Sequence, residues 1–294
     1  YTVAACWEFI IPGKGMEVVN IGAVSFPAAA DRAIRQGLAR GQSFEGILAN
    51  MAADVRDQTN AVADAYANLL LPPAPYYSAL MDGCLERGRD LSKGLKYNNF
   101  GIHGACAANA ADALAAVKQF VFDEKSVRPA ELLAALEANF DGHEALRLKL
   151  RNKGPKIGGD DERADSMLAA LFDALADACE ARGDNGRGGL LRPGTGTAMY
   201  YVWLAAGHPG MSEPVVGATA DGRRRGEFFS ANLAPSPGAK VAGLPSVFRS
   251  FARIDYRRIC NGGPITIGIG DSVFAQPDAI WKVATMVKAF ARLG

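Results

Sequence analysis

The sequence predicts an α/β protein with mainly parallel strands. Three observations carry the prediction: short apolar runs alternate with segments of helical periodicity through the whole chain, Gly and Pro punctuate the junctions, and 49% of residues are apolar. At the start, CWEFII and MEVVNIGAVSF flank Pro12-Gly13-Lys14-Gly15 and read as strand, turn, strand, which puts Cys6 on or beside a strand. From Ala28 to Leu71 apolar residues recur at helical spacing, giving two helices of which the second is long. Ser43 and Gly46 mark its start and Pro72-Pro73 an abrupt stop. Lys93 to Gly104, rich in Gly and Asn, reads as a loop. Buried helices follow in CAANAADALAAVKQFVFDE and in PAELLAALEANF, where Pro129 suits a first helical turn. A charged Gly-Pro loop then enters another helix with Asp160 and Asp161 at its positive end. Residues 215–270 mix short β-like runs with Gly and Pro, and Pro277 and Asp278 open a last helix.

Composition narrows the partners. With 32 basic against 31 acidic residues and no long run of either sign, neither nucleic acid nor an anionic membrane surface is an expected partner. No stretch approaches the roughly 18 apolar residues of a spanning helix. The opening YTVAACWEFIIPG has no basic leader, so a cytoplasmic location is expected. Five cysteines, Cys6, Cys84, Cys106, Cys179 and Cys260, contain no CxxC pair, which disfavours a disulfide framework or structural zinc. His103, His143 and His208 offer no metal-ligand spacing, and no metal is expected.

Cys6-Trp7-Glu8 is the most informative triplet. In an extended segment residues two apart face one side, so a thiol and a carboxylate would share one space. A cysteine offers a thiolate or a readily abstracted hydrogen, and a carboxylate offers a general base. A core cysteine beside a surface glutamate satisfies the same spacing. His103 reads either as a proton donor in a pocket or as a loop imidazole bonded to backbone. Asn98 and Asn99 read as turn formers or as substrate ligands. Asp221-Gly222-Arg223 reads as an anion-binding turn or a solvated one, and RPGTGT lacks the Lys-Ser/Thr and the full GxGxxG of nucleotide loops.

Several blocks change the weight of that triplet. Lys96-Tyr-Asn-Asn-Phe-Gly-Ile-His-Gly104, Ala108-Asn109-Ala-Ala-Asp112 with Phe122-Asp123-Glu124, Asn139-Phe140-Asp-Gly142, Pro155-Lys156-Ile-Gly158-Gly-Asp160-Asp161 and Gly217-Ala-Thr-Ala-Asp221-Gly222-Arg223 stand in order along the chain. Together they resemble the signature of the glycyl radical enzymes, which include pyruvate formate-lyase, diol dehydratases and arylacetate decarboxylases. Ala113 and Gly159 depart from the Ser and Asn usual there.

The resemblance implies half of a ten-stranded α/β barrel with surrounding helices, spanning residues 1–294 as one segment that carries the cysteine loop. It implies that Cys6 forms a thiyl radical and abstracts substrate hydrogen, and that Glu8 acts as base in radical elimination from a small hydroxylated substrate. Ala5 precedes Cys6, unlike the Cys-Cys pair of pyruvate formate-lyase. Trp7, Phe9, Asn99 and His103 are the expected substrate-binding residues; Trp7 and Phe9 are bulkier than the diol dehydratase pattern and keep arylacetate decarboxylation as an alternative. No string like Arg-Val-x-Gly-Tyr is present, so the glycyl radical is expected on a separate or missing segment, installed by a radical S-adenosylmethionine activase, and no cofactor is expected on these residues. The expected partners are the substrate, that activating enzyme, the missing half-barrel and glycyl domain, and a second copy in a homodimer. Without the glycyl domain the segment is expected to be inactive, and a non-catalytic remnant is the remaining alternative.

Overall fold

The computed structural model describes residues 2–4, 8–15, 18–67, 69–207 and 215–293. A hairpin comes first. β1 (Thr2–Ala4) pairs antiparallel with β2 (Glu8–Ile10), Ala4 opposite Glu8. The main sheet is parallel and built in sequence order from β3 (Ala23–Ser25), β4 (Phe100–Ala105) and β5 (Leu191–Gly194). Parallel neighbours need long crossovers, and both crossovers here are helical. Between β3 and β4 run α1 (Phe26–Ala39), α2 (Phe44–Ala67) and the short α3 (Pro75–Ala79), α4 (Cys84–Arg87) and α5 (Leu91–Gly94). Between β4 and β5 run α6 (Ala107–Val117), a π-helical turn over Lys118–Asp123, α7 (Pro129–Glu137), α8 (Glu144–Lys153) and α9 (Glu162–Arg182). α10 (Tyr200–Ala206), α11 (Leu244–Phe251), α12 (Asp271–Phe274) and α13 (Ala279–Leu293) complete the chain.

Local chemistry sets the helix starts. Ser25 accepts from the Ala28 N–H at the head of α1, and Asp161 accepts from the Arg163 N–H at the head of α9. The Ser43 hydroxyl accepts from the Gly46 N–H, so Gly46 lies inside the first turn of α2. α2 ends at Ala67, ahead of the Pro pair.

The expected loop from Lys93 to Gly104 is replaced at its end by β4, in which every residue is buried. Its glycines are required by crowding. A Cβ on Gly101 would fall 2.0 Å from the Val19 carbonyl oxygen, and one on Gly104 would fall 2.3 Å from the Phe26 ring. Alternation along β4 therefore turns Ile102 and Gly104 toward the helical layer, where Phe26 meets Phe172 edge to face, and His103 to the opposite side of the sheet. The β-like runs expected over 215–270 form no strand among the described residues, only isolated bridges of Thr219 with Arg223 and of Gly262 with Glu8, and α11 is the principal regular element there. Of the described residues of MEVVNIGAVSF, only Ala23–Ser25 enters the sheet as a strand, with a single bridge from Val18 to Phe100.

Candidate active site

Glu8 sits on β2 with no exposed surface, and its Oε1 lies 3.1 Å from His103 Nε2. Strand alternation puts Phe9 on the other face, 48% exposed. The hairpin is tied down from β5: the Arg192 guanidinium donates to the Phe9 carbonyl at 2.6 Å and to Asn261 Oδ1 at 3.0 Å. Asn261 in turn donates to the Val19 carbonyl at 2.8 Å, and Glu8 bridges Gly262. Three remote segments thereby fix where the Glu8 carboxylate points.

His103 reaches Glu8 because β4 is the central strand. It stands level with Ala23 of β3 and Gly194 of β5, and it is 1% exposed. Its Nδ1 accepts the Gly196 N–H at 2.9 Å. The RPGTGT run thus serves as a cradle for an imidazole: a Cβ on Gly194 would lie 2.7 Å from His103 Nδ1, and one on Gly196 2.9 Å from its Cε1. Glu8 Oε2 has no hydrogen-bond partner among the described residues.

The remaining sequence candidates are Cys6, Trp7, Asn99 and Phe9. Cys6 and Trp7 lie outside the described residues. Asn99 is half-buried and its side chain accepts the Leu190 N–H at 3.0 Å, joining the approach to β4 to the approach to β5. Phe9 faces an apolar cavity of about 510 Å³ shared with Val3, Phe251, Tyr256 and Phe290, away from Glu8. Of the described cysteines, Cys84, Cys106 and Cys179 are buried, and burial raises their thiols, that of Cys179 to about 12. Such thiols are poor nucleophiles. Among the described residues no group of three or more His, Cys, Asp or Glu is arranged to hold a metal, and no helix is long and apolar enough to cross a membrane.

The signature blocks, far apart in sequence, meet in one buried polar network beside α6. Asn109 donates to Asp221 Oδ2 at 2.7 Å and accepts the Ser230 N–H at 2.7 Å. Asp112 accepts the Ile157 N–H at 2.8 Å and the Ser236 hydroxyl at 2.7 Å, with Lys156 Nζ 3.8 Å away. Lys156 donates to the Asp221 carbonyl at 3.1 Å. Asp221 and Arg223 are each 4% exposed, so their turn is not a solvated one, and both border a cavity of about 340 Å³. Arg223 spends its guanidinium on the Arg224 and Glu227 carbonyls, at 2.9 and 2.7 Å, and on that of Gly217. Desolvation drives this: each buried charge is kept by internal partners.

Parallel strands joined by helical crossovers, with a buried carboxylate carried on a flanking hairpin, define an α/β protein. A family model described as pyruvate formate lyase-like matches residues 1–205, and the chain belongs to that family, the glycyl radical enzymes that its motif blocks resemble. It is 29% identical over 239 residues to the trans-4-hydroxy-L-proline dehydratase of Clostridioides difficile, covering 81% of this chain and 29% of the relative. It is 29% identical over 288 residues to the (2S)-3-sulfopropanediol dehydratase of Klebsiella oxytoca, covering 89% and 34%. The chain therefore spans about a third of the length of these curated relatives. A solved structure of 1,2-propanediol dehydration in Roseburia inulinivorans superposes with a TM-score of 0.88 at 23% identity, over 100% of this chain and 39% of that one, a likeness of fold.

Proposed function

We propose that this chain is the catalytic-cysteine portion of a glycyl radical dehydratase acting on a small hydroxylated substrate. The observation that carries the reading is Glu8, a fully buried carboxylate with one oxygen held by His103 and the other without a partner among the described residues. Cys6 is two residues away, so covalent geometry keeps its Cα within about 7 Å of that of Glu8. The dehydratases named above are consistent with the reaction class.

The glycyl radical, installed by a radical S-adenosylmethionine activase, supplies an acceptor for the thiol hydrogen of Cys6. The Cys6 thiyl takes a hydrogen atom from a substrate carbon bearing a hydroxyl, leaving the radical on that carbon. Glu8 takes the hydroxyl proton through Oε2, and the resulting ketyl expels hydroxide from the neighbouring carbon. Hydroxide collects the proton from Glu8 and leaves as water. The product radical recovers its hydrogen atom from Cys6, which restores the thiyl. Burial of Glu8 keeps water from competing for either the radical or the proton.

The test uses the full-length polypeptide containing this chain, activated without oxygen and offered (2S)-3-sulfopropanediol and 1,2-propanediol, each of which carries hydroxyls on adjacent carbons as the ketyl step requires. Cys6→Ser should retain the glycyl radical by electron paramagnetic resonance and lose turnover, because a serine O–H is too strong to exchange hydrogen with carbon. Glu8→Gln should lower kcat by about a hundred-fold or more. Full activity of either variant removes that residue from the reaction.

A further inference from the structure

We infer that His103 is the positioning residue of Glu8: a neutral imidazole locked as a one-way donor that holds Oε1 and leaves Oε2 for the substrate. The inference rests on the reading of Glu8 as the base. It starts from the tautomer. The Gly196 N–H points at Nδ1 from 2.9 Å, and a backbone amide has only a proton to offer, so Nδ1 supplies its lone pair and the ring proton resides on Nε2. Nε2 faces Glu8 Oε1 at 3.1 Å, and it is there that the proton is donated. An imidazolium would need a proton on Nδ1 as well, directed into the Gly196 N–H; the geometry excludes it.

The cradle is specific for a flat ring. Gly194 and Gly196 leave no room for a Cβ beside the imidazole, and the sheet holds β4 in register with β5 through Phe100 opposite Leu191 and His103 opposite Gly194. The Asn261 amide nitrogen, 3.4 Å from Nε2, is committed to the Val19 carbonyl. Among the described residues His103 is the sole side chain within ion-pair range of Glu8, and no Lys or Arg pairs with the carboxylate. Because Nδ1 is capped, His103 cannot pass a proton onward; Glu8 must receive the proton and return it by itself.

The first arm of the test reads geometry without turnover. In the full-length polypeptide labelled with nitrogen-15 histidine, long-range proton–nitrogen correlation should show an imidazole fixed in the Nε2–H form, assigned by its loss in His103→Gln. Glu8→Gln should shift that Nε2 proton. The second arm uses the activated full-length polypeptide with whichever of 1,2-propanediol or (2S)-3-sulfopropanediol it converts. Gln places an amide N–H where Nε2–H stands, so His103→Gln should keep kcat within about three-fold, while His103→Leu should lower kcat about ten- to a hundred-fold with KM within about three-fold. An Nδ1–H or doubly protonated His103 would overturn the inference, as would equal losses in Gln and Leu or full activity in Leu. Full activity in Glu8→Gln with the Nε2–H form intact would instead overturn the role of Glu8 as base.

Discussion

Asp112 is a carboxyl whose titration the fold controls strongly. It is completely buried, and burial raises its carboxyl to about 7 in spite of Lys156, Ser236 and the Ile157 N–H, which all favour the charge. The folded value lies above the unfolded one, so the folded chain binds this proton more tightly. That contribution to stability is complete below about pH 4 and is lost as pH rises through about 7. Asp112→Asn removes the titration while an amide can still meet Ser236 and the Ile157 N–H. The stability of the variant relative to the parent should therefore climb by up to about 1.4 kcal/mol per pH unit between about pH 4 and 7, then level off. Urea unfolding across that range measures it, and a flat difference would mean that Asp112 is ionised throughout. The sequence showed Asn109, Asp112, Lys156 and Asp221 as members of ordered blocks; that they meet one another depends on tertiary contacts 45 or more residues apart, which spacing along the chain does not encode.

At the scale of the element, β4 joins fold to site, since one face of this strand packs on α1 and α9 and the other presents His103. Gly104→Ala would drive a Cβ to 2.3 Å from the Phe26 ring and 3.1 Å from that of Phe172, and overpacking of this kind costs about 1–3 kcal/mol. Gly217→Ala has nothing within 4 Å and should be nearly neutral, so the pair of thermal melts separates crowding from a generic glycine effect. β4 was hidden in the sequence because Gly and Asn ordinarily mark loops, whereas here Gly101 and Gly104 are present because backbone and rings approach too closely for a side chain. Helix starts were legible, since caps act locally: Ser43 and Asp161 cap as expected. The β-like reading of 215–270 failed for a related reason. Short apolar runs such as ITIGIG alternate as strands do, but without a neighbouring backbone to pair with, alternation alone forms no ladder.

At the scale of the whole molecule, the outer face of the sheet is covered by helices and much apolar surface elsewhere is not. Trp281 and Ile280 on α13 are 76% and 77% exposed, and the cavity beside Phe9 is lined with rings. Patches of this kind drive association in water. The 294-residue chain alone should elute from a sizing column ahead of a 31.0 kDa monomer, and a monodisperse monomer with a cooperative, high-temperature melt would contradict that. The central claim is that Cys6 shuttles a hydrogen atom between adjacent substrate carbons while Glu8 handles the proton, and label migration tests it most directly. The activated full-length polypeptide is given 1,2-propanediol or (2S)-3-sulfopropanediol, whichever it converts, deuterated at the carbon adjacent to the one that loses its hydroxyl. The account predicts that deuterium appears on the carbon the hydroxyl has left, carried there by the Cys6 sulfur. Product bearing only solvent hydrogen at that carbon, formed equally well by Cys6→Ser, would contradict it.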